Sequence, residues 1–426
     1  MNVAVLSPQP GPLRLGAHVL AQRLRACGVS VTTVDSDGRP PAQASLPWGD
    51  RRIEDRPTSI WCLSVLSHRD WQALPQLRRR IQGRLVIGGQ CADLMRGWGL
   101  AFCDVLVVGD CHHVDIKGVV ADGSGVVDTG QAPCPPPPVE TTAGLTVFAA
   151  SGCARRCPYC RISWTHRYTE APVALVEASI LRYRDKRVSV YSPSGDAANI
   201  EGLIVFCQSQ GKTITNKDFH PHVARRLLEK GLLSGVRIRM GIEGVSERLR
   251  ASIGRRLTWE GLGQLMATSS THQYYLAGIP GEAESDWVEF EEQMLKILSG
   301  ARFTHWITLG TLTPIPGTPW GGIDGHWSEA TDKRISRFKQ RLVDLNRTGI
   351  KAILATARSR DTHEEEVALM RAAVLFPDRM PVVLGKKDWR KAFLAAGVDV
   401  DALLSPQGSL TQTSPPGVRS QIGTVD

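Results

Sequence analysis

The sequence predicts an α/β protein with two successive parallel sheets and a smaller C-terminal part. Short apolar runs alternate with helical repeats through about the first 120 residues, and the alternation resumes at residue 145 and continues to about residue 320. Such alternation is typical of parallel sheets covered by helices. A proline-rich stretch at residues 131–138 lies between the two parts. Because a polyproline run acts as a semi-rigid spacer, we expect a domain boundary there.

Composition and charge are those of a globular protein with anionic partners. Of the 426 residues, 42% are hydrophobic and 22% are charged, and the net charge is +9. No apolar run approaches the roughly 20 residues that cross a bilayer, and no charge-flanked apolar segment opens the chain. We therefore expect a cytoplasmic protein with no membrane partner, and a preference for nucleotides or nucleic acid among possible ligands.

The first part of the chain predicts a Rossmann-like sheet. Its helix candidates lie at residues 18–27 and 71–81, and its strand candidates at residues 3–6, 29–34, 60–67, 85–89 and 104–110. Several of these strands end at serine or glycine. Since ligands of doubly wound sheets bind at the carboxyl ends of the strands, these ends are candidate ligand contacts.

Three cysteines follow the first strand of the second part. Cys153, Cys157 and Cys160 stand in Ser-Gly-Cys-Ala-Arg-Arg-Cys-Pro-Tyr-Cys. Structural zinc sites and ordinary four-iron clusters take four protein ligands, so this triad leaves one position open. On spacing alone, a zinc site completed by His166 remains an alternative. The ten cysteines are too scattered for a secreted disulfide scaffold, and reduced thiols suit an oxygen-sensitive cluster.

Four further strings occur in order after predicted strands. They are Ser-Pro-Ser-Gly-Asp at 192–196, the run from 236 to 257 containing Gly-Ile-Glu-Gly-Val, Gly-Ile-Pro-Gly-Glu at 278–282, and Thr-Pro-Ile-Pro-Gly-Thr-Pro at 313–319. The strings at 192–196, 278–282 and 313–319 would each by itself be explained as a turn. A partial parallel barrel would place all of them on the face formed by the carboxyl ends of its strands.

The cysteine spacing and these strings resemble the radical S-adenosylmethionine (SAM) superfamily. The resemblance implies a partial (β/α)6 barrel in which Cys153, Cys157 and Cys160 are catalytic and hold a [4Fe–4S] cluster whose free iron binds SAM. It implies reductive cleavage of SAM to a 5'-deoxyadenosyl radical, which abstracts hydrogen from an unactivated carbon. An external reductant of the flavodoxin or ferredoxin type would supply the electron.

The same resemblance assigns SAM contacts residue by residue. Tyr159 matches the aromatic position that packs against adenine, and Glu243 matches an acidic residue that approaches SAM. The full set of matching positions is Tyr159, Ser194, Gly195, Asp196, Asn216, Glu243, Gly278, Pro316 and Gly317. At 194–196 this chain has Ser-Gly-Asp where the family usually has Gly-Gly-Glu.

Residues 1 to about 120 resemble the cobalamin (B12)-binding domain found ahead of many radical SAM cores. The candidate cobalamin contacts are Ser64, Ser67, Gly88, Gly89 and Gly109. The Asp-x-His-x-x-Gly sequence that supplies a histidine to cobalt in other B12 proteins is absent, and the nearest histidines are His112 and His113. Cobalamin would therefore bind without a histidine ligand, or the domain is a remnant.

These inferences divide the chain into five parts. We expect a B12-binding-like Rossmann domain at 1–130, a proline-rich linker at 131–143, a radical SAM core at 144–325, a C-terminal α/β lid region at 326–404 and a disordered tail at 405–426. Within the lid region, strands are expected at 350–354 and 382–384.

Three functions remain open at the level of sequence. The first is methyl transfer, the outcome expected if cobalamin binds. The second is a cobalamin-free isomerisation or rearrangement of a modified nucleobase, as in radical SAM isomerases of phage DNA hypermodification, with which the net charge of +9 agrees. The third is a non-catalytic iron–sulfur protein serving as a redox sensor.

Overall fold

The computed structural model describes most of the chain. The described residues are 1–6, 15–34, 59–141, 144–184, 186–193, 195, 199–215, 218–233, 237–325, 327–349, 352–356 and 360–407. Three predicted SAM contacts, Ser194, Asp196 and Asn216, lie outside the described residues, as does most of the predicted tail, residues 408–426.

The N-terminal part is a six-stranded parallel sheet, which confirms the predicted Rossmann-like architecture. Its strands are β1 (Asn2–Leu6), β2 (Ser30–Val34), β3 (Ile60–Ser64), β4 (Arg84–Gly88), β5 (Val105–Gly109) and β6 (Gly125–Gly130). They lie in the order β2-β1-β3-β4-β5-β6. The helices are α1 (Leu15–Ala26), α2 (His68–Arg80) and α3 (Ile116–Asp122). The strand order reverses between β1 and β3, so a ligand crevice is expected at the carboxyl ends of these strands.

Helix α2 is fixed by its first turn and its apolar face. Ser67 is the N-cap residue, and Asp70 Oδ2 accepts hydrogen bonds from the backbone N–H groups of Leu66 (2.6 Å) and Ser67 (3.0 Å). A carboxylate in the first turn also complements the helix dipole. Trp71 and Leu74 are fully buried beneath the helix, which anchors α2 on the sheet.

The second part is a partial parallel barrel. Its parallel strands are β8 (Gly144–Phe148), β11 (Arg187–Tyr191), β12 (Thr213–Ile214), β13 (Ile238–Glu243), β14 (Thr271–Ala277), β15 (His305–Thr311) and β16 (Ala352–Thr356). An isolated parallel bridge between Asp218 and Arg239 connects the β12 side to β13. Strand β7 (Val139–Thr141) pairs antiparallel with β8, and β9 (Ala150–Ser151) pairs antiparallel with β10 (Thr169–Glu170). The predicted order of sheet and barrel is confirmed.

Helices cover the outside of the barrel. They are α5 (Val173–Arg182), α6 (Ile200–Ser209), α7 (Pro221–Glu229), α8 (Glu247–Ser252), α9 (Trp259–Thr268), α10 (Glu284–Ser299) and α11 (Glu329–Arg347). The short helix α4 (Ile162–Thr165) precedes them in the chain. Strand β14 shows how the layers form, because its side chains alternate between buried and half-buried. Tyr275 packs against Phe290 of α10 with ring centroids 4.9 Å apart, whereas His272 and Tyr274 lie on the opposite, inner face of the strand.

The C-terminal region joins the two parts. Strand β16 extends the barrel sheet beside β15, and the remaining helices are α12 (Arg360–Leu375), α13 (Met380–Val383), α14 (Trp389–Ala395) and α15 (Val400–Leu404). Val367 and Leu403 are buried in the same apolar core as Trp71 and Leu85 of the first sheet. The predicted strand at 382–384 is wrong, because Pro381 at the start of α13 favours a helix there.

Among the described residues, none of the helices combines the length and the apolar character that a bilayer crossing requires.

Acidification should destabilise the fold through His305. This residue is fully buried in β15, and its Nδ1 lies 2.9 Å from Thr271 Oγ1. Burial lowers the pKa of His305 from 6.5 to about 4. Between these values the unfolded chain binds a proton that the folded chain does not, so stability falls as the pH drops below 6.5.

Unfolding in urea should measure this effect. From pH 6.5 to about pH 5 we expect His305 to contribute a loss of about 2 kcal/mol. The His305→Gln variant should lose that part of the pH dependence, whatever its own stability. An identical pH dependence in the two proteins would contradict the assignment.

Candidate functional site

The cysteine loop connects β9 to α4. Gly152 has a φ of +65°, and a Cβ there would lie 2.3 Å from the carbonyl oxygen of Arg167, so only glycine fits. Within the loop, the N–H of Cys160 donates to the carbonyl of Cys157 (3.0 Å). The indole N–H of Trp164 donates to the same carbonyl (2.9 Å). These contacts fix the backbone that carries the three thiols.

The three thiols lie close enough to influence one another electrostatically. Cys157 is buried, whereas Cys153 and Cys160 are partly exposed. Burial raises the pKa of Cys157; Arg255 and Tyr159 lower it, and Cys160 and Cys153 raise it. Bound cations would relieve this repulsion between thiolates.

The donor set suits a cluster better than a single ion. Within the described ranges, no group of three His, Cys, Asp or Glu side chains is placed to hold one metal ion. In a four-iron cluster each cysteine binds a different iron atom, so the sulfurs need not converge on one point. His166 is the fourth ligand that the zinc alternative requires. Its Nδ1 lies 2.8 Å from Thr165 Oγ1, so this nitrogen already has a polar partner.

A buried ion pair lies at the carboxyl end of β13. Arg255 Nη2 is 3.6 Å from Glu243 Oε1, and the two side chains are 15% and 14% exposed. Arg255 Nη1 also donates to the carbonyl oxygen of Gly241 (3.0 Å). Burial raises the pKa of Glu243, and Arg255 opposes that shift. The pair therefore lies next to Tyr159 and Cys157.

The backbone around Glu243 is unusual. Glu243 has a φ of +72°, and in the described part of the chain only Arg156 of the cysteine loop is another non-glycine residue with positive φ. The Glu243 carboxylate folds back over Gly241, where a Cβ would lie 2.2 Å from Oε1. Strained backbone of this kind is found mainly at functional sites.

The second and third strands of the barrel bring Gly195 and His220 together. A Cβ at Gly195 would lie 2.7 Å from the carbonyl oxygen of Asp218, so the loop after β11 packs tightly against the segment after β12. His220 is buried, and its Nε2 has no hydrogen-bond partner among the described residues. Burial, followed by Arg255, lowers the pKa of His220 to about 2, so the ring is neutral.

The turns after β14 and β15 lie on the same face of the barrel as the cysteine loop. The N–H of Gly278 donates to Glu282 Oε2 (2.9 Å), which holds the Pro-Gly-Glu turn. The carbonyl of Pro316 accepts a hydrogen bond from Arg161 Nη1 (2.8 Å), and Gly317 follows with a φ of +82°. The turn after β15 thus contacts the cysteine loop.

Tyr159, a residue of the cysteine loop, faces the end of that turn. Its ring is 6.1 Å from the ring of Trp320, and the N–H of Trp320 donates to the carbonyl of Pro158 (3.1 Å). Burial, then Glu243, raises the pKa of the Tyr159 hydroxyl. The structure therefore brings together the cysteines, Tyr159, Glu243, Pro316 and Gly317.

Sequence reasoning missed four residues of this face. They are Arg161, His220, Arg255 and Trp320. Arg255 stands inside the Gly-Ile-Glu string and Trp320 directly follows the Pro-Gly-Thr-Pro string, so both could have been found from these motifs. His220 and Arg161 carry no comparable signal in the sequence.

A large cavity lies between the first sheet and the barrel. Its volume is about 1780 Å³, and it is bounded by the carboxyl ends of β3, β4 and β5 on one side and by the cysteine-loop side of the barrel on the other. Of the predicted contacts, it is lined by Ser64, Gly88, Gly89, Gly109 and Gly317. Ser67 does not line it; this residue caps α2 instead.

Two glycines at the edge of this cavity lie directly against neighbouring backbone. A Cβ at Gly89 would lie 2.4 Å from the carbonyl of Val65, and one at Gly109 would lie 2.3 Å from the carbonyl of Gly130. His112 also lines the cavity, but its Nε2 is 2.8 Å from the carbonyl oxygen of Cys134. On the barrel side, Phe148 and Tyr191 form an edge-to-face aromatic pair with ring centroids 5.6 Å apart.

Comparison with known proteins gives similarities in structure but none in sequence. The sequence matches no protein-family profile and no curated protein. Among solved structures, the cobalamin-dependent S-adenosylmethionine radical enzyme OxsB with aqua-cobalamin bound is similar with a TM-score of 0.43 and 13% identity. The alignment covers 70% of this chain and 52% of OxsB, so the chain spans about half the length of that protein. A similarity of this size leaves the function to be argued from the residues.

Proposed function

We propose that this chain is a radical SAM enzyme. The observation that carries the proposal is the cysteine triad, without a fourth protein ligand among the described residues, adjacent to the largely buried Glu243–Arg255 pair. A reduced [4Fe–4S] cluster at Cys153, Cys157 and Cys160 would supply the electron that cleaves SAM to an adenosyl species able to take hydrogen from a substrate carbon. A simple electron carrier or redox sensor would not need the ion pair.

The ion pair suits the two charges of an amino acid. The Glu243 carboxylate is an acceptor for an ammonium group, and the Arg255 guanidinium can donate two parallel hydrogen bonds to a carboxylate. Because both groups are largely buried, each contact would be stronger than on the surface. We assign the methionine part of SAM to this pair, and its adenine to Tyr159, Gly278, Pro316 and Gly317.

We further propose that the large cavity holds cobalamin. Its volume of about 1780 Å³ exceeds the roughly 300–1,000 Å³ of pockets for drug-sized ligands. Gly88, Gly89 and Gly109, at the ends of β4 and β5, line this cavity, where ligands of doubly wound sheets bind. His112 Nε2 lies 2.8 Å from the carbonyl oxygen of Cys134, so we propose that His112 does not ligate cobalt. With both cofactors present, methyl transfer is the reaction proposed.

Anaerobic reconstitution tests both parts of the proposal. With iron, sulfide, dithionite and SAM, we expect the chain to bind four irons and to release 5'-deoxyadenosine. With hydroxocobalamin added, we expect a cobalamin absorption spectrum that remains after gel filtration. A cluster that forms but cleaves no SAM would contradict the radical SAM proposal. Cleavage without retained cobalamin would refute methyl transfer and favour isomerisation.

A further inference from the structure

A buried arginine connects three segments of the molecule. Arg161 directly follows Cys160 and is 5% exposed. Its Nη1 donates to the carbonyl of Pro316 (2.8 Å), and its Nη2 forms an ion pair with Asp93 of the N-terminal part. The guanidinium thus touches the turn after β15 and the first sheet's domain at once, while its own backbone belongs to the cysteine loop.

The partners of Arg161 are themselves at the cavity. Asp93 and Gly317 both line it, and a Cβ at Gly317 would lie 3.8 Å from Arg161 Nη1. The other oxygen of Asp93, Oδ1, accepts the N–H of Leu94 (3.0 Å), so the carboxylate is fixed on its own side of the interface. The ion pair therefore connects the N-terminal part to the barrel face that carries the cysteine loop.

Burial makes this contact sensitive to the loss of either partner. A charge removed from water depends on its partners, and deleting one leaves the other uncompensated. Without Asp93, the carbonyl of Pro316 would be the one hydrogen-bond partner left to the Arg161 guanidinium among the described residues, and the side chain would be expected to move toward water. Because Arg161 is bonded covalently to Cys160, such a shift would displace the cysteine loop and the Pro316–Gly317 turn together.

We propose that the Arg161–Asp93 ion pair makes the N-terminal domain part of the SAM site, with Arg161 as a positioning residue for the cysteine loop and the turn after β15. This inference rests on the proposed radical SAM function. It also predicts reciprocal coupling between two ligands. A ligand that contacts Asp93 in the cavity would change the affinity for SAM, and SAM would change the affinity for that ligand by the same factor.

The test is SAM binding to the reconstituted chain, followed by the SAM-induced change in the electron paramagnetic resonance (EPR) spectrum of the reduced cluster. In Asp93→Asn we expect an unchanged iron content, an altered spectrum of the SAM-bound form and about tenfold weaker SAM binding. Asp93→Glu should restore the spectrum and most of the affinity, which a general loss of stability would not. Arg161→Lys should show an intermediate effect, because an ammonium lacks the guanidinium fork.

Asp104→Asn is the matched control. Asp104 pairs with Arg78 at 3.1 Å in the same domain but does not line the cavity, so its loss should leave SAM binding unchanged. Wild-type SAM affinity and spectrum in Asp93→Asn would overturn the inference while leaving the proposed function intact. If Asp93→Asn does not fold, full wild-type SAM affinity in Arg161→Lys would overturn the inference. A wild-type cluster whose spectrum does not respond to SAM would overturn both.

Discussion

Replacing Cys157 with alanine is expected to reduce 5'-deoxyadenosine formation to the background of the assay. Cys157 is the buried member of the triad, and its pKa responds to both other cysteines and to Arg255. With two thiolates left, the cluster loses a ligand that no neighbouring side chain replaces among the described residues. The measurement is iron content and SAM cleavage after anaerobic reconstitution.

Cys27→Ser provides the control for this variant. Cys27 is exposed and lies just after α1, far along the chain from the triad. Its replacement should leave iron content and SAM cleavage unchanged. Retained cleavage in Cys157→Ala would defeat the assignment of the cluster to these cysteines.

The second large effect is expected from Arg255→Met. This change leaves the Glu243 carboxylate, 14% exposed, without its ion-pair partner. Since removing one partner of a buried pair leaves an uncompensated charge, we expect the protein to lose about 3 kcal/mol of stability. The pKa of Glu243 should then rise further, because burial already raises it and Arg255 opposes that rise. SAM binding should weaken by about tenfold or more.

Two further variants isolate the role of Arg255. Arg256→Met removes the adjacent exposed arginine and should change neither stability nor SAM binding. Glu243→Gln combined with Arg255→Met should recover part of the lost stability without recovering SAM binding, because both charges are then gone. Wild-type SAM affinity in Arg255→Met, measured by titration of the reconstituted protein, would exclude Arg255 from the site.

The sequence predicted features that are local in the chain. Short apolar runs predicted most strands, and the spacing of the cysteines and the Gly-Ile-Glu string indicated where the site would lie. Glu243 was found because it stands inside such a string. Whether it contacts SAM stays a prediction, as does the role of each other cofactor contact.

Features that depend on distant parts of the chain were not predicted. Arg161 pairs with a carboxylate 68 residues earlier and with a carbonyl 155 residues later, and nothing local marks either partner. The same holds for the buried His220, whose pKa is lowered by burial and by the nearby Arg255 and Arg155. The error at residues 382–384 has a local cause, since a short apolar run fits a strand or a helix equally well.

The shared core of the first sheet and the last helices has a consequence for how the chain folds. Trp71 and Leu85 of the N-terminal part and Val367 and Leu403 of the last helices belong to one apolar cluster. During synthesis, the N-terminal sheet and α2 emerge long before α12 to α15, so the apolar face that those last helices cover stays exposed until they have been made. The nascent protein should therefore need a chaperone, or rapid completion, to avoid aggregation through that face.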